Sequence, residues 1–323
     1  MSTGSILKLF SKSLSPNQRD SIRNIRDFSL FGKRVHPKEP LVIYYADGST
    51  FHGGLTDRFK GIISIFYYCL KNNLPFRINW TSPTPLIHFL TPSIYDWRLR
   101  DLDKISNNYF EAKCINLVGD PTIQRFNQLK SSKQIHCFAN RDVVTLLNAL
   151  PGKQQYTWSQ LFRALFRPTQ ELDNAISGYT EIVGKEYISV VYRFQNMLGD
   201  FEENNMSECS ESLKKVIVGK CKKALLEISE TSGRSILVTS DSRKFLSEIY
   251  DIPTVHAFPE KTVHIDYDRH ELPHVYMKSF VDFYMISRGC EVYSLGTKDM
   301  YKSDFPLYAA KLGEIPFHRI TIE

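Results

Sequence analysis

The sequence predicts an α/β protein built as two doubly wound domains. Three observations carry this: strand-like and helix-like segments alternate along both halves, Pro151-Gly152 breaks the pattern between them, and glycine or polar residues recur just after the apolar strands. In the first half, LVIYYADGST (41–50) is a buried strand entering a turn, HGGLTDRF leads into a helix over Lys60 to Lys71, and FRINW (76–80) is a second strand. TSPTPLIHFLTPSIYDW follows with prolines at 83, 85 and 92, and reads as a loop because the residue before each proline is pushed to extended geometry. AKCINLVGD (112–120) and QIHCFAN (134–140) are short strands, the second followed by a helix from near Asp142 to Leu150. A helix over Trp158 to Gly178 is interrupted near Pro168. From Tyr187 the alternation is clearest: EYISVVYRF, SILVTSD, PTVHAF and EVYSLG as strands, with SESLKKVIVGKCKKALLEIS, SRKFLSEIY, SFVDFYMISRG and FPLYAAKLG as the helices after them. The expected layout is a basic amphipathic segment over 1–35 packing on the first domain, a first domain over 36–180 and a second over 181–323.

Charge is informative through its location. The chain of 323 residues is 42% hydrophobic and 24% charged, which excludes wholesale disorder, a collagen-like repeat and a disulfide miniprotein. Of its net +6, residues 1–40 carry +5, from Lys8, Lys12, Arg19, Arg23, Arg26, Lys33, Arg34 and Lys38 against Asp20, Asp27 and Glu39. The body is therefore near neutral and lacks the basic face that phosphate neutralisation requires of a nucleic-acid binder. The leader alternates cations with Ile, Leu and Phe, the composition of a helix lying on an anionic membrane or packing on its own domain. The longest apolar run, Ile62 to Leu70, is too short to cross a bilayer core, which takes about 20 residues. The first residues lack the apolar core and cleavage site of an export signal. Six dispersed cysteines without a CxxC pair indicate neither zinc nor a disulfide framework and fit a reducing cytoplasm.

Ligands of doubly wound sheets bind at the carboxyl ends of the strands, so the residues there are the candidates. Gly53 and Gly54 either form a plain turn or let a ligand approach the backbone, with Arg58 one helical turn further on. Arg193 ends an apolar strand, where its planar fork suits a diphosphate or pairs with a carboxylate. Ser240 and Asp241 can hydrogen-bond a base or ribose, or help cap the helix that starts beside them. Ser303, Asp304 and Phe305 precede an apolar helix and form either its cap or a phosphate cradle of amides. Taken in order, these four segments make one consistent nucleotide-diphosphate site.

These segments, in this order and in two Rossmann-like halves, resemble the GDP-fucose-dependent fucosyltransferases of the nodulation, core alpha-1,6 and protein O-fucosyltransferase group. GGLTDRFKGIISIFYYC is similar to that family's glycine-rich loop and helix, Tyr192-Arg193 to its His-x-Arg strand end, and Ser240-Asp241 to its Thr-Asp-Asp strand end. SDFP, Ser303 to Pro306, is similar to its Ser-Ser-Phe-Thr cradle, and VDFYMISRGCEVYSLG to the segment leading into it. The resemblance covers most of the second half and about 40 residues of the first. It implies a GT-B fold, two Rossmann-like domains facing across a crevice, and an inverting, metal-independent transfer of fucose from GDP-fucose with no cofactor. Two positions depart from the pattern: the histidine before the arginine is absent, since Val191 and Tyr192 stand there, and the loop's usual Asn-Arg reads Asp57-Arg58.

An inverting transfer needs a base for the acceptor hydroxyl and positive charge for the leaving diphosphate. Arg193 with the amides of Ser303 to Phe305 would supply the second; Asp57 and Asp200 are the candidates for the first, with Glu202 in the same loop as Asp200. His88, Tyr95 and Trp97, in the proline-punctuated loop, suit a sugar-stacking acceptor wall or anchor the loop to its own domain. The expected acceptor is a glycan, free or lipid-linked, in bacterial capsule, exopolysaccharide or O-antigen synthesis at the inner face of the membrane. Two alternatives stay open: a transferase of another nucleotide sugar, and a non-catalytic α/β protein docking at a membrane through its basic leader.

Overall fold

The computed structural model describes residues 14–35, 40–100, 105–119, 121–151, 154–201, 207–258, 260–266 and 272–323. Along the first half run α1 (Pro16–Asp27), β1 (Val42–Ala46), α2 (Leu55–Lys71), β2 (Phe76–Trp80), β3 (Leu90–Pro92), β4 (Ala112–Asn116), α3 (Ile123–Phe126), β5 (Gln134–Phe138) and α4 (Val144–Asn148). There follow α5 (Trp158–Leu165), β6 (Phe166–Pro168), α6 (Gln170–Val183), β7 (Tyr187–Tyr192), α7 (Glu211–Ser232), β8 (Ser235–Ser240), α8 (Arg243–Glu248) and β9 (Val255–Ala257). The chain closes with α9 (His274–Arg288), β10 (Glu291–Thr297), α10 (Phe305–Gly313) and β11 (Phe317–Ile322).

Two compact units form. One comprises Met1–Gly53, Asp57–Ser82 and Pro92–Thr157; the other Gly54–Thr56, Pro83–Thr91 and Trp158–Glu323. The division falls at Thr157 rather than at the expected residue 180, because α5 packs on α10 and α6 on α9. Part of the proline-rich loop also joins the second unit, where Phe89 stacks on Phe280 with ring centres 4.1 Å apart.

The first unit is built on a parallel sheet of order β2-β1-β5-β4. β1 reads VIYYA and is buried along its whole length, as a parallel strand covered on both faces must be. Ser15 and Gln18 form a capping box at the start of α1, with Pro16 in its first turn. That helix lies against β4: Arg125 donates to the Asp20 carboxylate at 2.6 Å, and the Asn116 amide donates to the same side chain. The described part of the basic segment is thus an integral piece of the first unit, while Lys8 and Lys12 lie outside the described residues. Among the described residues no helix is long and apolar enough to cross a membrane.

A histidine sits inside this unit. His136 on β5 stacks on Tyr45 at 4.5 Å, tilts against Phe28 at 5.1 Å and donates from Nε2 to the Gln134 side-chain oxygen. Burial pushes its pKa down to about 4, opposed weakly by Asp47 and Asp27. The unfolded chain therefore takes up a proton near pH 6.5 while the folded one does not, so stability is full above that pH and falls as pH drops towards 4. Wild type is expected to lose about 3 kcal/mol more between pH 6.5 and pH 4 than His136→Phe, measured by urea denaturation at both pH values.

The second unit carries a parallel sheet of order β11-β10-β7-β8-β9, with β3 and β6 forming a separate two-stranded ribbon. From the central β7 the chain winds out through β8 and β9 on one side, then returns to lay β10 and β11 on the other. The carboxyl ends of β7 and β10 are therefore the switch point at which such sheets take ligands. β7 is buried at every position, and Ile188, Val190 and Tyr192 pack with Ile217, Cys221 and Leu225 of α7 and Phe245 of α8.

Candidate functional site

Arg193 follows β7 directly. Its guanidinium donates to the Asp241 carboxylate at 3.0 Å and lies over the Phe201 ring at 4.5 Å; its side chain is 18% exposed, that of Asp241 2%. Asp241 also accepts the backbone amides of Phe194 at 2.8 Å and Gln195 at 2.7 Å. Gln195 takes the left-handed conformation with φ of 53°, uncommon for a side chain of that size, so the carboxylate braces a strained turn as well as the arginine. Burial pushes the Asp241 carboxyl above the usual range, while Arg193 and the two amides pull it back. The arginine thus has its carboxylate partner within its own unit, and that partner orients it without burying it.

Three expected roles change once these contacts are known. Ser240 and Asp241 do not face outward towards a base or ribose: Ser240 Oγ accepts the Ser242 amide at 3.1 Å, and Asp241 is consumed by Arg193 and the turn after β7. Asp200 accepts the Ser242 hydroxyl at 3.0 Å and the Lys244 amide at 2.8 Å, which makes it a brace of the α8 start rather than a poised base. Glu202 lies outside the described residues.

At the end of β10, the Ser303 hydroxyl accepts the Phe305 amide at 3.2 Å, and Phe305 packs its ring against Phe283 at 5.5 Å. The Ser303 amide donates to the Tyr301 carbonyl at 3.1 Å, so with the Phe305 amide on the Ser303 hydroxyl the cradle expected of Ser303 to Phe305 is narrower than three free donors, and Pro306 adds none. Arg319 of β11 donates to the Ser303 carbonyl at 2.6 Å and approaches the Asp304 carboxylate at 3.5 Å, holding this turn from the neighbouring strand. The sequence reading missed it because β11, FHRITI, is a largely exposed edge strand without an apolar run.

Two cavities open in the same unit. One of about 720 Å³ is lined by Asp200, Arg243, Lys244, Tyr250 and Lys261; the other, of about 480 Å³, by Tyr179, Val263, Met277, Lys278 and Val281, among others, and also by Lys261. Both lie within the roughly 300–1,000 Å³ of small-ligand sites. Lys278 beside the second forms a buried pair with Asp282 one helical turn on.

In the first unit, Gly53 has φ of 94°, and a Cβ there would stand 2.3 Å from the Asp57 carboxylate, which also pairs with Lys60 at 3.0 Å. Gly54, clustered with the second unit, has its nearest side-chain atom, His264 Nε2, 3.8 Å from a built Cβ. Gly53→Ala is accordingly expected to cost about 1–3 kcal/mol and Gly54→Ala almost nothing, checked by thermal unfolding of both variants. Arg58 is buried rather than offered to an anion: it lies over Trp80 at 4.7 Å and donates to the Ser82 carbonyl.

The aromatic loop separates. Tyr95 hydroxyl exchanges hydrogen bonds with the Phe76 backbone and packs against Phe66, and buried Trp97 accepts the Ile78 amide through its carbonyl at 2.8 Å. Both are anchors to the β2 edge and not a sugar-stacking wall. His88 is exposed and belongs to the other unit.

No protein-family profile and no curated protein matches the sequence. Solved structures do match. A variant of Arabidopsis thaliana FUT1 in complex with GDP aligns at a TM-score of 0.55 with 15% identity, covering 94% of this chain and 75% of that one. The fucosyltransferase NodZ from Bradyrhizobium aligns at 0.52 with 14% identity, and a NodZ alpha-1,6-fucosyltransferase co-crystallized with GDP at 0.50 with 13% identity, each over 85% of this chain and 92% of that one. At such identities the likeness is one of architecture, and it agrees with the two parallel sheets: the chain has a fucosyltransferase-like α/β fold of the GT-B class.

Proposed function

We propose that this protein is a glycosyltransferase that transfers fucose from GDP-fucose to a glycan, with inversion and without a metal, its second unit binding the donor and its first assigned to the acceptor. The observation that carries the reading is Arg193: a guanidinium fixed by a buried carboxylate at the end of the central strand, beside the strand that leads into the N-terminus of α10. A planar fork and a helix N-terminus at the two strand ends of a switch point suit a diphosphate leaving group. That two of the structures sharing this fold are complexes with GDP supports the same class of ligand.

Positive charge facing the departing diphosphate would come from Arg193 and the positive end of the α10 dipole, so the reading calls on no cation beyond the chain. Of the two candidate bases, Asp57 is the better one: it pairs with Lys60 but its side chain is 35% exposed, whereas Asp200 is engaged in bracing α8. The acceptor in this reading is a glycan or lipid-linked glycan of bacterial surface polysaccharide, modified at the cytoplasmic face of the membrane.

One observation favours a second donor. Where the family pattern has histidine, Val191 is apolar and buried, and neighbouring Tyr192 points into the core, its hydroxyl on the Cys221 carbonyl at 2.9 Å. A site lacking that imidazole suits a related nucleotide sugar. Calorimetric titration with GDP, GMP and UDP decides: tightest binding of GDP supports the fucosyl donor, preference for UDP supports the second reading, and no binding of any nucleoside diphosphate refutes both. A donor screen read out by slow hydrolysis then names the sugar.

A further inference from the structure

A turn of the first unit presents large apolar side chains to water without a folding reason. Phe31 is 97% exposed, its neighbour Leu30 56%, and Phe110 on the adjoining turn 58%. The two turns are tied together. The Ser29 amide donates to the Asn107 carbonyl at 3.0 Å, the Tyr109 amide returns to the Ser29 carbonyl at 3.0 Å, and the Asn108 side chain donates to the carbonyls of Leu30 and Gly32. Phe31 is therefore held out by a fixed scaffold. Just before it, α1 shows Ile22 and Ile25, three residues apart on one outward face.

Cations frame this apolar ridge. Lys33 and Arg34 follow Phe31 directly, the Arg34 guanidinium 5.9 Å over the Phe110 ring, and Arg19 stands one helical turn before Ile22 on α1; none of the three has a carboxylate partner among the described residues. The two acids of the segment are already neutralised, Asp20 by Arg125 and Asp27 by Arg23 and Arg26. Exposed aromatic and aliphatic side chains ringed by unpaired cations are complementary to an anionic lipid surface, which offers acyl chains beneath a layer of phosphate.

We propose that the Leu30–Phe31 turn, with Phe110, docks this protein on anionic membranes, the three side chains entering the headgroup boundary while Arg19, Lys33 and Arg34 meet lipid phosphates. The proposal rests on none of the donor-site residues and stands or falls separately from the transferase reading.

Sedimentation of the full chain with phosphatidylcholine vesicles, with and without about 30% phosphatidylglycerol, tests it. Expected are binding to the anionic vesicles only, about tenfold weaker partitioning of Phe31→Ser, and about fivefold weakening for each of Lys33→Ala and Arg34→Ala, lost in high salt. Ile94→Ser, which removes another exposed apolar side chain, is expected to bind as wild type. Unchanged partitioning of Phe31→Ser, or equal binding to neutral vesicles, overturns the proposal. So does a dimer in sedimentation velocity that Phe31→Ser dissolves, which would make a second copy the occupant. A GDP titration unaltered in Phe31→Ser keeps this outcome distinct from that of the donor site.

Discussion

Replacing Arg193 with alanine is expected to weaken GDP binding at least about 100-fold while the second unit stays folded. Two charge-assisted hydrogen bonds to a diphosphate, each worth about 1.5–3 kcal/mol, set that scale. Arg193→Lys keeps the charge and loses the planar fork, so about tenfold is expected there. The fold survives because Asp241 keeps its two backbone donors and, already displaced upward by burial, can accept a proton in place of the lost cation. Such a raised carboxyl makes the variant more stable at acidic pH and less so as pH rises through its pKa. Calorimetry with GDP and GMP, beside a circular dichroism melt, reads both effects. Unchanged GDP affinity in a folded Arg193→Ala protein would sink the assignment of the donor site.

Asp241→Ala is expected to do the opposite and strike the fold first, costing about 3–5 kcal/mol. It leaves the amides of Phe194 and Gln195 without an acceptor, releases the left-handed Gln195 and strands the Arg193 guanidinium. Asp241→Asn retains one acceptor oxygen and should lose about half as much. Urea midpoints for both variants check the stability. In Asp241→Asn, an affinity for GDP weaker than that of wild type at unchanged binding stoichiometry marks a residue that positions Arg193. Unaltered stability in Asp241→Ala would show that the brace carries nothing.

Much of this architecture can be read from residue pattern. β2 spans FRINW as expected, β4 and β8 fall within the segments that predict them and β10 runs one residue past its own; β1, β5 and β7 are the plainest, because parallel strands buried at every position leave a continuous hydrophobic signal. Helix starts were less legible: α2 begins at Leu55 and α9 at His274, each about one turn ahead of the segment that predicts it. β11 escaped because four of its six residues are exposed on an edge and none is buried. At the site, Arg193 was found from its place after a strand. Asp241 was found too, but not as the partner of Arg193, because which side chains of neighbouring strands meet depends on register, here Tyr192 beside Ser240, and register is absent from composition. The same limit gave Tyr95 and Trp97 an acceptor role, when hydrogen bonds to the β2 edge occupy them.

The strand order of the second unit also dictates when it can fold. Val190 in β7 waits for Val238 and then Tyr293, partners that lie roughly 50 and roughly 100 residues downstream, so the sheet closes through non-local pairings that form slowly. At about 5–20 residues per second of synthesis, an emerging β7 keeps one apolar edge unpaired for seconds. In the first unit Ile43 of β1 likewise waits about 90 residues for His136 of β5, but that sheet is complete at Phe138, before β7 is made. On the ribosome the half with Arg193 is thus the later one, and β11, which holds the turn at Ser303 through Arg319, is the last strand to arrive.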